Sequence, residues 1–440
     1  MRILSIDPGG NTFPWMMDCI VAGHEVRWYT THVNPHQAGY EPVKRITRWQ
    51  DSMDWAKEGL VFLSDNDHYL ADFDRYRRMG WCISGATMTS AQLEIDREAG
   101  MQILEKYSIP VPDYEMFETL QEALRYTMRC KDPSGLVFKT LGSEGDKSLT
   151  YVGKTPADLA NKIENWIADG KVFKGKCMIQ KRIDGIEVAV SGIMSPNGWI
   201  GPWEENFEHK KLLSGNYGPN TGEMGTVIHY TAQSVLADRV LKPLTDVLLG
   251  TGHTSWVDLN CIVTPKGEIR PLEFTNRPGW PAFTIAQRLM RGDPVKCIYN
   301  AAKGIDSMHV RGEVVVGVMI CIPPFPGEHG TNLAKLAGVT IQGLNDKALE
   351  WCHPYPATIQ PGFIQDGNLV TRGKVWKTTS EYVAVITGVG ATVAEARADA
   401  YKNVKKIHLP NMIVRDDIGV SSCEVLPQLH KLGLCKDFKP

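Results

Sequence analysis

The sequence predicts a multidomain protein of the α/β and α+β classes, and three observations carry that reading. Apolar strands alternate with helices over the first hundred or so residues, the middle of the chain reads as strands joined by hairpins and long loops, and strands with one late helix follow. At 440 residues the chain is long enough for roughly two to four domains with ample core.

The elements follow in order. Arg2 to Ile6 is a short apolar strand, Asp7-Pro8-Gly9-Gly10-Asn11 a turn, and Phe13 to Ala22 a helix ending at Gly23. Strands at Glu25 to Thr30 and Leu60 to Ser64 complete the pattern of a parallel, Rossmann-like sheet with right-handed crossovers. Gly9 and Gly10 sit at the end of the first strand, where such sheets bind ligands; a purely geometric role for them is the rival reading. A helix over Ser90 to Tyr107 leads to Ile109-Pro110-Val111-Pro112, a rigid extended break. A second break falls at Gly304 to Gly312. Three domains are therefore expected, over residues 1–108, 109–310 and 311–440. The third is a small α+β unit with strands at Glu313 to Ile322 and Glu381 to Thr387 and a helix over Val393 to Ile407.

Composition narrows the function. Hydrophobic residues make up 43% and charged residues 22%, as in ordinary soluble proteins. A net charge of −2 gives no electrostatic case for nucleic acid. No run is apolar enough for a membrane span, and the N-terminus enters a strand at once instead of a signal peptide. The ten cysteines are scattered from Cys19 to Cys435 with no CxxC pair, which fits free thiols in a reducing compartment. The expectation is a cytoplasmic protein, monomeric or homodimeric, acting on small molecules.

Polar groups concentrate where a sheet should bury apolar ones. Trp256 to Val263 and Ile269 to Thr275 read as a hairpin around Thr264-Pro265-Lys266-Gly267-Glu268. With Lys266-Gly267 as a two-residue loop, Pro265 faces Glu268, Asn260 faces Glu273 and Asp258 faces Thr275. All four oxygen-bearing side chains then share one face, which suits a hard cation carried by phosphates. A hairpin with one solvated face is the rival reading. Pro271 removes a donor from the second strand and points to a bulge or a locally unpaired stretch there.

Two further segments have phosphate and nucleotide chemistry. The strand Leu136-Val137-Phe138-Lys139 precedes Gly142-Ser143-Glu144-Gly145-Asp146-Lys147-Ser148. Such a loop can aim N–H groups at phosphate while Lys139 and Lys147 supply charge, although an exposed turn is the simpler alternative and the spacing is not that of a P-loop. Met178 to Ile183 and Glu187 to Ser191 read as a hairpin around Asp184-Gly185. Gln180 there can serve a base edge and Glu187 can accept from ribose hydroxyls; an exposed strand face is the rival.

The order of these parts resembles the ATP-grasp superfamily, and within it the glycinamide ribonucleotide synthetase family. Gly218-Pro219-Asn220-Thr221-Gly222-Glu223-Met224-Gly225 is similar to that family's GPNTGGMG loop, with His209-Lys210-Lys211 shortly before it. Val316-Gly317-Val318-Met319 and Asp417-Ile418-Gly419 match in order near the C-terminus. The resemblance implies an ATP-grasp core between a Rossmann-like domain and a small C-terminal domain. It also implies an ATP-dependent carboxylate–amine ligase working through an acyl phosphate, with glycine as the acid and purine biosynthesis as the setting. ATP is then held by Lys139, Gly142, Ser143, Gly145, Lys147, Gln180 and Glu187, and Mg²⁺, with Mn²⁺ as a substitute, by Glu273, Asn260 and Asp258. Gly9, Gly10, Asn220, Thr221, Gly222 and Arg277 are the implied substrate residues, with Arg277 and Lys147 catalytic.

Departures are concentrated at one end. The family's GNGGREHA turn is Asp7-Pro8-Gly9-Gly10-Asn11-Thr12-Phe13-Pro14 here, and its GPEAPL segment is replaced by Ser64-Asp65-Asn66-Asp67-His68-Tyr69-Leu70. Those are the places where the family holds phosphoribosylamine. Its EGSK becomes Glu94-Ile95-Asp96-Arg97, and its EFNCRFGDPE strand becomes Glu273-Phe274-Thr275-Asn276-Arg277-Pro278-Gly279-Trp280-Pro281, so Thr275 stands at the metal-ligand asparagine and Asn276 is one residue late. A ligase for a different amine, in nucleoside or metabolite modification, is the nearest alternative. A non-catalytic ATP-binding protein is another, and an NAD-dependent oxidoreductase, lacking GxGxxG, is weaker.

Overall fold

The short apolar runs at the start of the chain form the parallel sheet that their spacing predicts. A computed structural model describes residues 1–31, 43–141, 150–170, 176–327 and 337–440. Arg2–Ile6 lies at the centre, between Glu25–Tyr29 and Leu60–Leu63, with Lys44–Ile46 and Ile83–Ser84 on the edges; every pair is parallel. The helix Phe13–Val21 follows the central strand, with proline in its first turn where an absent N–H costs nothing. The single helix expected over Ser90 to Tyr107 is instead two, Met88–Ile95 and Arg97–Lys106. Asp96 breaks it: its backbone is extended and its carboxylate caps the N–H groups of Glu98 and Ala99.

A four-stranded antiparallel sheet follows, ordered Tyr114–Phe117, Cys177–Lys181, Leu136–Thr140 and Tyr151–Val152. Leu136, Phe138, Cys177 and Ile179 pack on the helices Leu120–Arg129 and Pro156–Ala168. Those helices were not foreseen, although Thr119 and Thr155 cap them from Thr-x-x-Glu and Thr-x-x-Asp sequences. Lys139, Met178 and Gln180 alternate onto the other face, and Met178 joins the main core there.

The largest sheet is nine-stranded and antiparallel. Its order is Ile269–Thr275, Trp256–Val263, Ile186–Ser195, Gly198–Glu208, Gly225–Thr231, Val314–Cys321, Tyr382–Gly390 and Cys352–Pro354, with Ile413–Val414 also paired to Val314–Cys321. Residues on both sides of the Gly304 to Gly312 break therefore share one sheet. The hairpin expected around Asp184-Gly185 does not form. Its two strands belong to different sheets, and residues 182–185 cross between them. Gly185 lacks the positive φ of a two-residue hairpin turn, and a side chain there would run into the Val263 carbonyl.

An aromatic joint connects the parallel sheet to the large one. The Trp15 ring lies 4.5 Å from Phe62 and 6.1 Å from Phe283, which in turn is 5.1 Å from Trp256. All ten cysteines are free thiols, and among the described residues no helix is long and apolar enough to cross a membrane.

The small two-stranded piece Lys211–Leu213 with Tyr217–Asn220 is pinned from the C-terminal region. Arg415, 1% exposed, donates to the Asp417 carboxylate at 2.7 and 2.9 Å, to the Lys211 carbonyl at 2.9 Å and to Asn216 Oδ1 at 3.1 Å. Arg415→Met takes this donor from all three partners and should lower the unfolding free energy by roughly 3 kcal/mol, read from urea denaturation. Arg415→Lys should recover only part of the loss, since an ammonium cannot reproduce the guanidinium fork.

Candidate active site

The hairpin that drew attention in the sequence reaches its expected register by an unexpected route. Its turn holds three residues, not two: Thr264 faces Glu268, with Thr264 N donating to the Glu268 carbonyl and Gly267 N to the Thr264 carbonyl, both at 2.9 Å. Gly267 takes the positive φ this loop needs, +81°. Pairing runs Val263 with Ile269, Ile262 with Arg270 and Cys261 with Pro271, then slips by one residue at Leu272. The bulge beside Pro271 cancels the longer turn, so Asn260 pairs with Glu273 and Asp258 with Thr275 as expected.

That face continues across the sheet. Asn260 and Asp258 are opposite Ala189 and Ser191, which are opposite Asn206 and Glu204 on the next strand, and Glu204 pairs with Tyr230 beyond. Glu204, Asn206 and Glu208 thus join the polar row, and the sequence reading had missed them. Asn260 Nδ2 donates to Glu208 at 2.9 Å, Asn206 Nδ2 reaches Glu204 at 3.4 Å and Asp258 at 3.5 Å, and the Tyr230 hydroxyl donates to Glu204 at 2.8 Å. Glu223, where the resembling loop has glycine, is buried beside this row and accepts from the Thr226 hydroxyl. Burial, then the neighbouring carboxylates, raises the Asp258 and Glu223 carboxyls well above the usual range.

Cations come from three other places. Arg97 Nη2 is 3.0 Å from Glu273 Oε2. Lys210 Nζ bridges Glu187 at 2.8 Å and Glu208 at 3.1 Å. Burial alone would lower the Lys210 pKa, but Glu208, Glu187 and Glu273 outweigh it and hold the ammonium charged. Lys139, on the facing sheet and 6% exposed, interacts electrostatically with Glu273, Arg97, Lys210 and Glu187. Gly142, Ser143, Gly145 and Lys147 lie outside the described residues.

The donor set fits a nucleotide and a hard metal ion. Among the described residues, Asn260 Oδ1 and Asn206 Oδ1 are buried acceptors with no hydrogen-bond partner, and Gln180 Nε2 and Arg97 Nη1 are buried donors with none. Oxygen ligands from Glu273, Asn260 and Asp258 suit Mg²⁺. Thr275, not Asn276, occupies the row; Asn276 is fully buried and its Nδ2 donates to the Ser90 carbonyl at 2.7 Å. Two surface cavities, of about 530 and 350 Å³, share no residue with this cluster.

The remaining expected residues gather on the N-terminal side. Arg277 Nη2 lies 3.1 Å from Glu94 and its Nε 3.8 Å from Asp65. Glu94 also accepts from Asn66 Nδ2 at 2.6 Å and Asn276 N at 2.7 Å. Thr221 ties its loop to Lys210, its N–H and hydroxyl donating to the Lys210 carbonyl at 2.7 and 2.8 Å, while Asn220 and Gly222 are exposed. Gly10 has φ +77°, and a Cβ there would lie 2.7 Å from Pro356 Cγ. The Tyr355 hydroxyl donates to the Gly9 carbonyl. Tyr355 stacks on Trp280 and meets Tyr382, and this aromatic group has no signal in the sequence.

Glu204 gives a test of the charged row. Burial, partly offset by hydrogen bonds from Tyr230 and Asn206, pushes its carboxyl up to about 7 from an ordinary 4.5. The folded state then binds this proton more tightly than the unfolded one. Its contribution to stability is complete below the unfolded pKa and is lost as pH rises through the folded value. Without nucleotide or metal, Glu204→Gln should remove that loss, on the order of 3 kcal/mol between about pH 5 and pH 8 in urea denaturation. Equal pH slopes for the two proteins would contradict the buried placement.

Known proteins share sequence and fold with this chain. Residues 97–252 match the family Phosphoribosylglycinamide synthetase, ATP-grasp (A) domain. The phosphoribosylamine–glycine ligase of Clostridium acetobutylicum is 27% identical over 361 residues, covering 79% of this chain and 81% of that protein. That of Neisseria meningitidis serogroup A is 25% identical, covering 95% and 99%. The crystal structure of phosphoribosylamine–glycine ligase from Thermotoga maritima matches with a TM-score of 0.71 at 19% identity, covering 95% of this chain and all (100%) of that one. The biotin carboxylase domain of Hydrogenobacter thermophilus 2-oxoglutarate carboxylase, solved with MgADP, matches at 0.60 and 13%, covering 94% and 91%. Sequence and fold together identify the chain as an enzyme of the ATP-grasp ligase type that resembles the phosphoribosylamine–glycine ligases.

Proposed function

We propose that this ligase activates an amino acid, glycine by our reading, as an acyl phosphate and passes it to an amine. The observation that carries the reading is the opposition of two sheets, one presenting Lys139 and Gln180 and the other the row of Glu273, Asn260 and Asp258. Gln180 would meet the adenine edge and Glu187 the ribose, while Lys139 and the segment with Gly142, Ser143, Gly145 and Lys147 hold the phosphates. Bound Mg²⁺, or Mn²⁺ on the same oxygen ligands, would supply positive charge to the phosphates during transfer.

The chain's own groups do the positioning. The substrate carboxylate attacks the γ-phosphorus, the bond to the bridging oxygen breaks and ADP leaves. The amine lone pair then attacks the acyl carbonyl, the carbon–oxygen bond to phosphate breaks, and phosphate and a proton depart. Lys139 and Lys147 face the charge that develops on the phosphoryl oxygens. Arg277, fixed by Glu94 and Asp65, steadies the acyl phosphate, and the Asn220-Thr221-Gly222 loop holds the amino acid. Phosphoribosylamine is the amine named for the relatives.

MgATP should raise the melting temperature and NAD should not. Glu273→Gln should leave the fold intact and cut turnover by several orders of magnitude, with Asn260→Ala milder; near-normal ligase activity in Glu273→Gln would sink the reading. Lys139 adds a pH signature, since burial above all pushes its ammonium down to about 8. ATP affinity should fall as pH rises through about 8, and binding near that pH should take up a proton. Calorimetry in buffers of different ionisation heat reads that uptake, which Lys139→Met should abolish.

A further inference from the structure

We infer that the amine acceptor of this enzyme carries no phosphate and is a neutral or cationic amine with a flat or apolar body, seated against Trp280 and Tyr382. The inference rests on the ligase reading and narrows it to a substrate class. In an open parallel sheet, an anionic group is expected at the N-terminus of the helix that follows the central strand. Here the chain fills that seat itself. The Asp7 carboxylate, fully buried, accepts from Asn11 N at 2.9 Å, Thr12 N at 2.8 Å, Thr12 Oγ1 at 2.8 Å and Ser64 Oγ at 2.7 Å. The donors a phosphate would use are taken, and the turn is roofed by Tyr355 on the Gly9 carbonyl and Pro356 over Gly10.

The surrounding charge points the same way. Arg277 is a cation at this place, and Glu94, Asp65 and Asp67 already act on it. Arg97, Lys139 and Lys210 are engaged with the carboxylates of the nucleotide cleft. A phosphate dianion approaching Arg277 would meet the Asp65 and Asp67 carboxylates, like charge that selects against it.

What the site offers instead is an aromatic wall. Trp280 and Tyr355 stack with ring centroids 5.5 Å apart and planes at 24°, and Tyr382 lies 5.9 Å from Trp280 and 5.5 Å from Tyr355. The wall joins three substrate segments: Tyr355 touches Gly9, a Cβ on Gly222 would be 3.5 Å from the Tyr382 hydroxyl, and Trp280 follows Arg277 in the same loop. Trp280 and Tyr382 are partly exposed rather than fully buried. Aromatic faces beside carboxylates recognise ammonium and flat groups and give nothing to a phosphate.

The test is calorimetric titration of the enzyme, loaded with Mg²⁺ and a non-hydrolysable ATP analogue, with tyramine, O-phosphotyramine and ribose 5-phosphate. Tyramine should bind about tenfold more tightly than O-phosphotyramine, and ribose 5-phosphate should give no binding heat. Trp280→Leu should weaken tyramine about tenfold while leaving the analogue's affinity unchanged. Asp65→Asn with Asp67→Asn should narrow the gap between the two tyramines. Tighter binding of either phosphate compound, or no binding of tyramine, overturns the inference. Failure of the ATP analogue to bind is a separate result, which removes the ligase reading and the inference with it.

Discussion

Keeping charge out of water between two sheets is the constraint on which this site depends. Lys139 is almost fully buried, and Lys210 and Arg97 are fixed by Glu187, Glu208 and Glu273. Removing one member of such a set strands its partners in a poor solvent, which costs more than the pair contributes. Glu204, Glu223 and Asp258 are stabilised differently, by Tyr230, Thr226 and Asn206. The row is therefore richer in carboxyl groups than in cations, an imbalance that a metal ion, if bound there, would offset.

The sequence exposed this arrangement unevenly. Period-two alternation revealed Asp258, Asn260 and Glu273, because strand geometry converts spacing directly into a shared face. The same rule applies to Glu204, Asn206 and Glu208, whose period-two spacing, with Glu205 turned to Ser234, was the signal overlooked. The false hairpin at Asp184-Gly185 shows the limit of dipeptide rules. An Asp-Gly pair permits a tight return but does not choose between turning back and crossing to another sheet, and here Gly185 is close against Val263. Asp96, read as a helix-interior residue, is a cap. Trp280, Tyr355, Tyr382 and Arg415 were illegible for a deeper reason, since their meeting depends on tertiary packing that no local window contains.

The C-terminal part of the chain reaches the candidate site more closely than its position suggests. Tyr355 and Tyr382 come from it, and both stand against segments from the other two parts of the chain. Arg415 reaches the strand pair that carries Asn220. Because Val314–Cys321 continues the sheet that carries Asp258, Asn260 and Glu273, these contacts rest on one sheet.

The bulge beside Pro271 has a consequence for how such a hairpin can change over generations. Strand faces obey parity, so one residue gained or lost in the turn would rotate Glu273 away from Asn260. A proline without an N–H leaves a ladder position unclaimed, and the slip at Leu272 restores the phase before the functional pairs are reached. The strand thus works as a phase corrector. It corrects by one residue only: turn length and bulge are matched to each other, and a further insertion or deletion at the tip would need a compensating change in the bulge to keep Glu273 opposite Asn260.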